Sequence, residues 1–221
     1  METLQARLTA VRERIARAAD RAKRDPADIL LLAVTKVFPA DVIREAYDLG
    51  LRDFGENYVQ EFEDKAPAVA DLEGARYHLI GHLQSNKSKK AAELFHTIQT
   101  VDSVKLARRL DEVGKPLDIM LEVKLSEEEA KSGVAPDGVP DLLAGVLSCG
   151  SLTLRGLMTM PPWSEDPEAA RPIFRKLREL ADVHGLAGLS MGMSHDLETA
   201  IEEGSTCVRV GTALFGKRKK A

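Results

Sequence analysis

The 221-residue sequence has few cysteines and no long apolar run. Its two cysteines, Cys149 and Cys207, are far apart and form no Cys-x-x-Cys pair, which argues against a disulfide framework and against a zinc site. The longest aliphatic run, residues 29–34, is far shorter than the roughly 18 residues that a membrane-spanning helix needs. The charged N-terminus also lacks the apolar centre of a signal peptide. The sequence therefore predicts a cytoplasmic protein.

A strong charge of either sign is absent as well. The chain has 31 Lys and Arg residues against 35 Asp and Glu residues, so its formal net charge is -4 at pH 7. Without a global positive field to collect polyanions, nucleic-acid and membrane-surface partners are disfavoured. Hydrophobic residues make up 44% and charged residues 30%, which is typical of a globular protein. We expect one domain over residues 1–221, with residues 217–221 as a loose basic tail.

Apolar residues at helical spacing open the chain. A stripe on one face of the predicted helix is formed by Leu4, Leu8, Val11, Ile15 and Ala18. Because an amphipathic helix buries its apolar face, this helix is expected to pack against the rest of the protein.

Strand-like and helix-like segments alternate after this helix. The predicted strands cover residues 29–34, 52–55, 77–80, 97–101, 117–123, 154–160, 186–191 and 206–210. The predicted helices cover residues 39–50, 57–69, 87–95, 104–113, 139–147, 167–183 and 195–203. Strands separated by helices pair in parallel, so eight such units predict an α/β protein with a single (β/α)8 TIM-type barrel and an extra N-terminal helix.

A six-stranded doubly wound sheet is the alternative architecture. Sheets of that kind that bind dinucleotides need a glycine-rich turn after the first strand. The corresponding turn, residues 35–39, contains no glycine. The barrel is therefore favoured.

Lys36 follows the first predicted strand, and in a barrel the chemistry gathers at the carboxyl ends of the strands. Burial of the carbon stem favours a neutral amine, which can attack a carbonyl and form a Schiff base. The alternative is a lysine at a strand end that only reaches water.

Two further loops follow the last two predicted strands, where barrels often bind phosphate. Ser194 precedes the last predicted helix and is expected to be its N-cap, while Gly211 and Thr212 follow the eighth strand. Backbone N–H groups and hydroxyls of this kind can surround a phosphate, although a plain capped helix is the alternative.

Other polar residues interrupt the predicted strands or follow them. Arg209 lies within the apolar run 207–210, where it needs an anion or an acceptor, and a structural ion pair is the alternative. Asn57 follows the second strand and offers a further polar group. We expect His78, in the third strand, to be a hydrogen-bonded core histidine.

Several separated motifs resemble those of one known family. They are Ala33-Val34-Thr35-Lys36, Gly55-Glu56-Asn57-Tyr58-Val59-Gln60-Glu61, residues 78–87, Lys131-Ser132-Gly133, residues 156–160, residues 190–194, residues 208–212 and Phe215-Gly216. Together they resemble the pyridoxal phosphate homeostasis protein family, whose members are single-domain relatives of the barrel half of alanine racemase. One departure lies in the fifth strand, where Glu122-Val123-Lys124 replaces the more usual Gln-Val-Asn.

The resemblance implies that the barrel carries pyridoxal 5′-phosphate as a Schiff base on Lys36. Ser194, Gly211 and Thr212 match the family's phosphate contacts. Arg209 matches the arginine that faces the pyridine nitrogen, and Asn57 matches an asparagine near the cofactor. No catalytic residue and no metal ligand is implied.

The function implied by the resemblance is binding of pyridoxal phosphate for intracellular homeostasis, without substantial turnover. The expected partners are the cofactor and the pyridoxal phosphate-dependent enzymes that receive it, and we expect a monomer. One alternative is a racemase-like pyridoxal phosphate enzyme, although the chain has no residues left for a racemase's second domain. Another is a class I aldolase that uses Lys36 without a cofactor.

Overall fold

Eight parallel strands form the centre of the molecule, for which a computed structural model describes residues 2–126 and 132–216. The strands are β1 Leu30–Val34, β2 Asp53–Glu56, β3 Arg76–Leu79, β4 Thr97–Val101, β5 Leu117–Glu122, β6 Leu152–Met158, β7 Gly188–Met193 and β8 Cys207–Val210. Each strand pairs in parallel with the next, and β8 pairs with β1 to close the barrel. The predicted (β/α)8 barrel is confirmed, and the open doubly wound sheet is excluded.

The helices surround this barrel. In the described part of the chain they are α1 Leu4–Arg21, α2 Ala40–Asp48, α3 Val59–Lys65, α4 Ser88–Leu94, α5 Val104–Asp111, α6 Val139–Leu147, α7 Arg171–Val183, α8 Leu197–Glu202 and α9 Thr212–Phe215. The extra N-terminal helix is confirmed as α1. Its whole predicted apolar stripe is buried, and it packs against α8 and α9.

Ion pairs complete the contact between α1 and α8. Arg14 pairs with Glu198 at 2.6 Å, and Arg21 pairs with Glu202 at 2.7 Å.

No described helix combines the length and the apolar character that crossing a membrane requires.

Some element boundaries differ from those predicted. The predicted helix 167–183 is a 3-10 turn, Pro167–Ala170, followed by α7. Pro172 lies in the first turn of α7, where the N–H that proline lacks would have no partner within the helix. The short helix α9 was not predicted. The predicted tail, residues 217–221, and Lys131 of the family motif lie outside the described residues.

The main core lies between the barrel and its helices, where four phenylalanines are fully buried. A second, small apolar cluster consists of Leu32, Val34, Ile80 and Cys207. Leu32 pairs in register with Arg209, so the side chains of both residues face the barrel interior. This interior is partly polar, and its polar residues lead to the site described next.

Candidate functional site

A cavity of about 520 Å³ opens at the carboxyl ends of the strands. It is lined by all six predicted site residues, which are Lys36, Asn57, Ser194, Arg209, Gly211 and Thr212. These residues come from the ends of β1, β2, β7 and β8. The volume is within the range of small-molecule sites.

Lys36 lies in a four-residue turn that follows β1. The N–H of Phe38 donates to the carbonyl oxygen of Thr35 at 3.1 Å, so Lys36 and Val37 are the two central residues of this turn. Lys36 is half-buried and lines the cavity. The structure thus places the lysine that was predicted as the nucleophile at the barrel mouth.

Ser194 joins the loops that follow β7 and β8. Its hydroxyl oxygen accepts hydrogen bonds from the N–H groups of Gly211 and Ala213, both at 3.2 Å. The prediction that Ser194 caps the helix predicted at residues 195–203 is wrong, because the corresponding helix, α8, begins at Leu197 and has Asp196 at the cap position. The hydroxyl faces the β8 loop instead, since the chain makes another turn between β7 and α8.

Gly192 makes this geometry possible near the end of β7. Its φ is +91°, and a Cβ at this position would lie 2.4 Å from the Cβ of Ala200. Only glycine meets both requirements without strain. The backbone can therefore continue from the sheet to Ser194 while α8 packs close beside it.

Arg209 is buried in β8 and is held by neutral acceptors. Its guanidinium donates to the Ser190 hydroxyl at 2.8 Å and to the Thr159 carbonyl oxygen at 2.9 Å. No carboxylate within the described ranges forms an ion pair with it, so the ion-pair alternative does not hold there. Burial lowers the pKa of Arg209 from its ordinary value, and Asp196 and Glu122 partly oppose this shift. The guanidinium remains a charged donor, since arginine keeps its proton in proteins.

A chain of hydrogen bonds continues from Arg209 across the barrel interior. The Ser190 hydroxyl donates to Gln99 Oε1 at 2.7 Å, and Gln99 Nε2 donates to His78 Nδ1 at 3.2 Å. His78 Nε2 then donates to Asp53 Oδ1 at 2.8 Å. A neutral imidazole with its proton on Nε2 satisfies both contacts, because an amide NH₂ can only donate. His78 is therefore a hydrogen-bonded core histidine, as predicted.

The position of Asn57 depends on a close backbone contact between the ends of β2 and β3. A Cβ at position 81 would lie 2.2 Å from the carbonyl oxygen of Asn57, so only Gly81 allows this approach. The contact holds the Asn57 segment against the β3 loop. Asn57 and Gly81 both line the cavity.

The end of β5 supplies an acidic group to the cavity wall. Glu122 is buried in the cavity wall, and both of its carboxylate oxygens lie 3.1 Å from the donating hydroxyl of Ser132. Burial raises the pKa of the Glu122 carboxyl, and the hydrogen bond from Ser132 partly opposes this rise. Lys124 also lines the cavity. Glu122 and Lys124 thus add one acidic and one basic group to the cavity wall.

Sequence reasoning did not single out several other lining residues, among them His82 and Trp163. His82 follows β3, and Trp163 belongs to a proline-containing loop after β6. Trp163 is 75% exposed, so it lies at the rim. An aromatic residue directly after Pro161 and Pro162 is the signal that could have indicated it.

Comparison with known proteins places the chain in a family. The family model described as alanine racemase, N-terminal domain, matches residues 6–219. A Pseudomonas aeruginosa protein named pyridoxal phosphate homeostasis protein is 48% identical, covering 99% of this chain and 97% of its own. An Aquifex aeolicus protein of the same name is 45% identical over 96% of this chain and 97% of its own. The chain belongs to the pyridoxal phosphate homeostasis protein family.

Solved structures agree with this membership. PipY of Synechococcus elongatus, solved with PLP bound, has a TM-score of 0.82 and 39% identity, with 91% of this chain and 100% of PipY covered. An alanine racemase of Clostridium difficile has a TM-score of 0.74 at 13% identity, with 99% of this chain and 57% of the racemase covered. The racemase likeness shows a shared barrel fold and nothing more about this family member.

Proposed function

We propose that the protein binds pyridoxal 5′-phosphate as a Schiff base on Lys36 and holds it for intracellular homeostasis, without substantial turnover. The observation that carries the proposal is the convergence of the six family positions on one cavity. PipY, a relative at 39% identity, was solved with PLP bound. We also expect a cytoplasmic monomer that supplies pyridoxal phosphate-dependent enzymes.

The residues present fit this cofactor. Lys36 supplies an amine for the aldehyde carbon, and the carbonyl oxygen leaves as water. Ser194 and Thr212 supply hydroxyls for the phosphate oxygens, and Gly211, whose N–H donates to Ser194 Oγ at 3.2 Å, lies in the same pair of loops. Arg209 and Lys124 add positive charge to the same cavity wall, which suits an anionic ligand.

Arg209 is the main physical reason to expect little turnover. Pyridoxal phosphate, when bound, draws electrons from the α-carbon of an attached amino acid, most strongly when its ring nitrogen is protonated. A guanidinium can only donate, so Arg209 favours an unprotonated nitrogen. Its bonds to Ser190 and Thr159 hold it in the cavity wall.

The tyrosines do not supply the second acid or base that the racemase alternative needs. Two-sided proton exchange at an α-carbon needs an acid or base on each face. All three tyrosines lie in the described part of the chain, and none lines the cavity. Tyr47 and Tyr77 donate instead to the carbonyl oxygens of Glu73 and Val69. The cavity therefore offers no tyrosine as the second acid or base.

Borohydride trapping tests the proposal. The purified protein, or the protein reconstituted with pyridoxal phosphate, should be yellow and should lose its visible band on reduction. The Lys36 peptide should gain the mass of the reduced cofactor, and Lys36→Ala should gain none. A colourless protein that cannot be reconstituted would favour the cofactor-free aldolase.

A further inference from the structure

The backbone around Lys36 is held by charged side chains of α3. The peptide planes on either side of the Lys36 Cα each use one group in this contact. The carbonyl oxygen of Thr35 accepts from Lys65 Nζ at 3.1 Å, and the N–H of Val37 donates to Glu61 Oε1 at 2.5 Å. Glu61 and Lys65 lie one helical turn apart and also pair with each other. One helix face therefore fixes both peptide planes that set the direction of the Lys36 side chain.

Val37 adopts a conformation that needs such support. Its φ is +63°, at the third position of the turn that Phe38 closes onto Thr35. Turns with a positive φ at this position favour glycine or asparagine, and a β-branched residue is strained there. Packing does not hold Val37 in place, because the residue is 53% exposed. The hydrogen bond to Glu61 therefore stabilises the strained turn, together with the bonds that Thr35 accepts from Phe38 and Lys65.

A buried carboxylate anchors this arrangement to the barrel. Glu56, the last residue of β2, is fully buried. It accepts from Lys65 Nζ at 3.1 Å and from the Thr35 hydroxyl at 2.7 Å. Lys65 is therefore tied to β2, to Thr35 and to Glu61 at once. A charged group with this many buried partners has little freedom to move.

We propose that Glu56, Glu61 and Lys65 form a positioning network that aims the amine of Lys36 into the cavity. The inference rests on the proposed binding of pyridoxal phosphate at Lys36. The network touches the lysine turn and not the Ser194 and Thr212 hydroxyls. Its loss should therefore weaken the bond between lysine and aldehyde while leaving recognition of the ring and phosphate intact.

Two ligands separate these effects. Pyridoxal phosphate can react with Lys36, whereas 4′-deoxypyridoxine 5′-phosphate has the same ring and phosphate but no aldehyde. Quenching of the single tryptophan, Trp163, at the cavity rim gives Kd for both ligands. The test variant is Glu61→Ala, and the conservative variant is Glu61→Gln, whose amide oxygen can still accept from Val37.

The matched control is Glu63→Ala on the same helix. Glu63 pairs with Lys90 at 2.9 Å on the exposed surface and does not contact the lysine turn. Removal of its carboxylate changes the net charge by the same amount as Glu61→Ala. A general effect of charge or of helix stability would therefore appear in both variants.

Glu61→Ala is expected to raise Kd for pyridoxal phosphate about tenfold or more, the effect of losing one hydrogen bond to a charged group. Kd for the deoxy compound should stay within about twofold of the parent value. Glu61→Gln and Glu63→Ala should bind both ligands like the parent. In protein without any ligand, hydrogen exchange of the Val37 amide should be faster in Glu61→Ala than in the parent.

The positioning role would be overturned if Glu61→Ala raised Kd equally for both ligands. It would also be overturned if Kd for pyridoxal phosphate did not change. The same effect in Glu63→Ala would also overturn it. Failure of the proposed function gives a different result, because the parent protein itself would then show no borohydride-trapped cofactor on Lys36. If the parent and Glu61→Ala show the same amount of trapped cofactor on Lys36 and the same Kd for pyridoxal phosphate, only the positioning network is contradicted.

Discussion

Arg209 in β8 donates to the hydroxyl of Ser190 in the neighbouring strand β7 at 2.8 Å. The Ser190 hydroxyl in turn donates its proton to Gln99. In this series of hydrogen bonds every donor therefore points away from Arg209 and towards Asp53, whose carboxylate is the last acceptor. The arginine is held by an ordered polar interior, and its charge has no carboxylate partner in the described ranges.

Replacing Arg209 should release the cofactor chemistry that it restrains. Arg209→Glu should favour a protonated ring nitrogen and so speed deuterium exchange at the α-carbon of added amino acids. Both proteins are compared at equal cofactor occupancy, after circular dichroism shows that the variant folds. Ser190→Ala, which removes an acceptor of Arg209 but keeps its charge, should exchange more slowly than Arg209→Glu. A parent protein that already exchanges as fast as Arg209→Glu contradicts the restraining role.

The phosphate assignment predicts weaker cofactor retention in two variants. Ser194→Ala and Thr212→Val each remove one hydroxyl hydrogen bond to a charged group, worth about 1.5–3 kcal/mol. Kd for pyridoxal phosphate should rise about tenfold or more in each variant, as measured by tryptophan quenching. Kd for pyridoxal, which lacks the phosphate, should not change.

Matched hydroxyl deletions outside the site serve as controls for that experiment. Ser148→Ala and Thr9→Val remove hydroxyls that bond only to nearby backbone oxygens in the described contacts. Both should bind pyridoxal phosphate like the parent. Unchanged retention in a Ser194→Ala/Thr212→Val double variant would place the phosphate elsewhere.

Glu122 makes stability depend on pH in a defined direction. Because burial raises its pKa above the ordinary value of 4.5, the folded protein holds this proton more tightly than the unfolded chain does. The resulting stability is present below the ordinary pKa and is lost as pH rises through the folded-state pKa. Glu122→Gln keeps a neutral hydrogen-bonding group there and should unfold at higher urea than the parent at about pH 8.

The comparison at low pH completes this test. At about pH 4 the parent carboxyl is largely protonated, so the difference in unfolding free energy between parent and variant should shrink. A variant that loses more stability relative to the parent at about pH 8 than at about pH 4 would show that the carboxylate is stabilised where it lies.

The close approach at Gly81 predicts a costly substitution. Gly81→Ala places a methyl group against the Asn57 backbone, and overpacking of this kind typically costs about 1–3 kcal/mol. Gly150→Ala is the control, since no heavy atom lies within 4 Å of the Cβ position there. Urea unfolding should show a large loss for Gly81→Ala and little change for Gly150→Ala. Similar losses of unfolding free energy in both variants would mean that the close contact with Asn57 does not cause the loss in Gly81→Ala.

Much of this protein follows from local sequence pattern. The alternation of apolar strands with amphipathic helices predicted the eight strands, and the stripe from Leu4 to Ala18 predicted α1. The local pattern is enough to predict these elements, because the spacing of apolar residues along the sequence shows which face of a helix or strand is buried. The positions of the six site residues at strand ends also follow, since the order of strands and loops is a property of the chain.

Only the tertiary structure decided which side chains meet. Glu61 and Lys65 are four residues apart in a predicted helix, and their contacts with the peptide planes of Lys36 appear only when α3 packs against β2, beside the turn that follows β1. The hydrogen bond that Ser194 accepts from the β8 loop was likewise not predicted, because the sequence indicated that Ser194 caps a helix. Such contacts join residues far apart in the chain, and their geometry depends on barrel closure. Local propensity carries no information about that closure, because it comes from hydrogen bonds between β8 and β1 across the whole length of the chain.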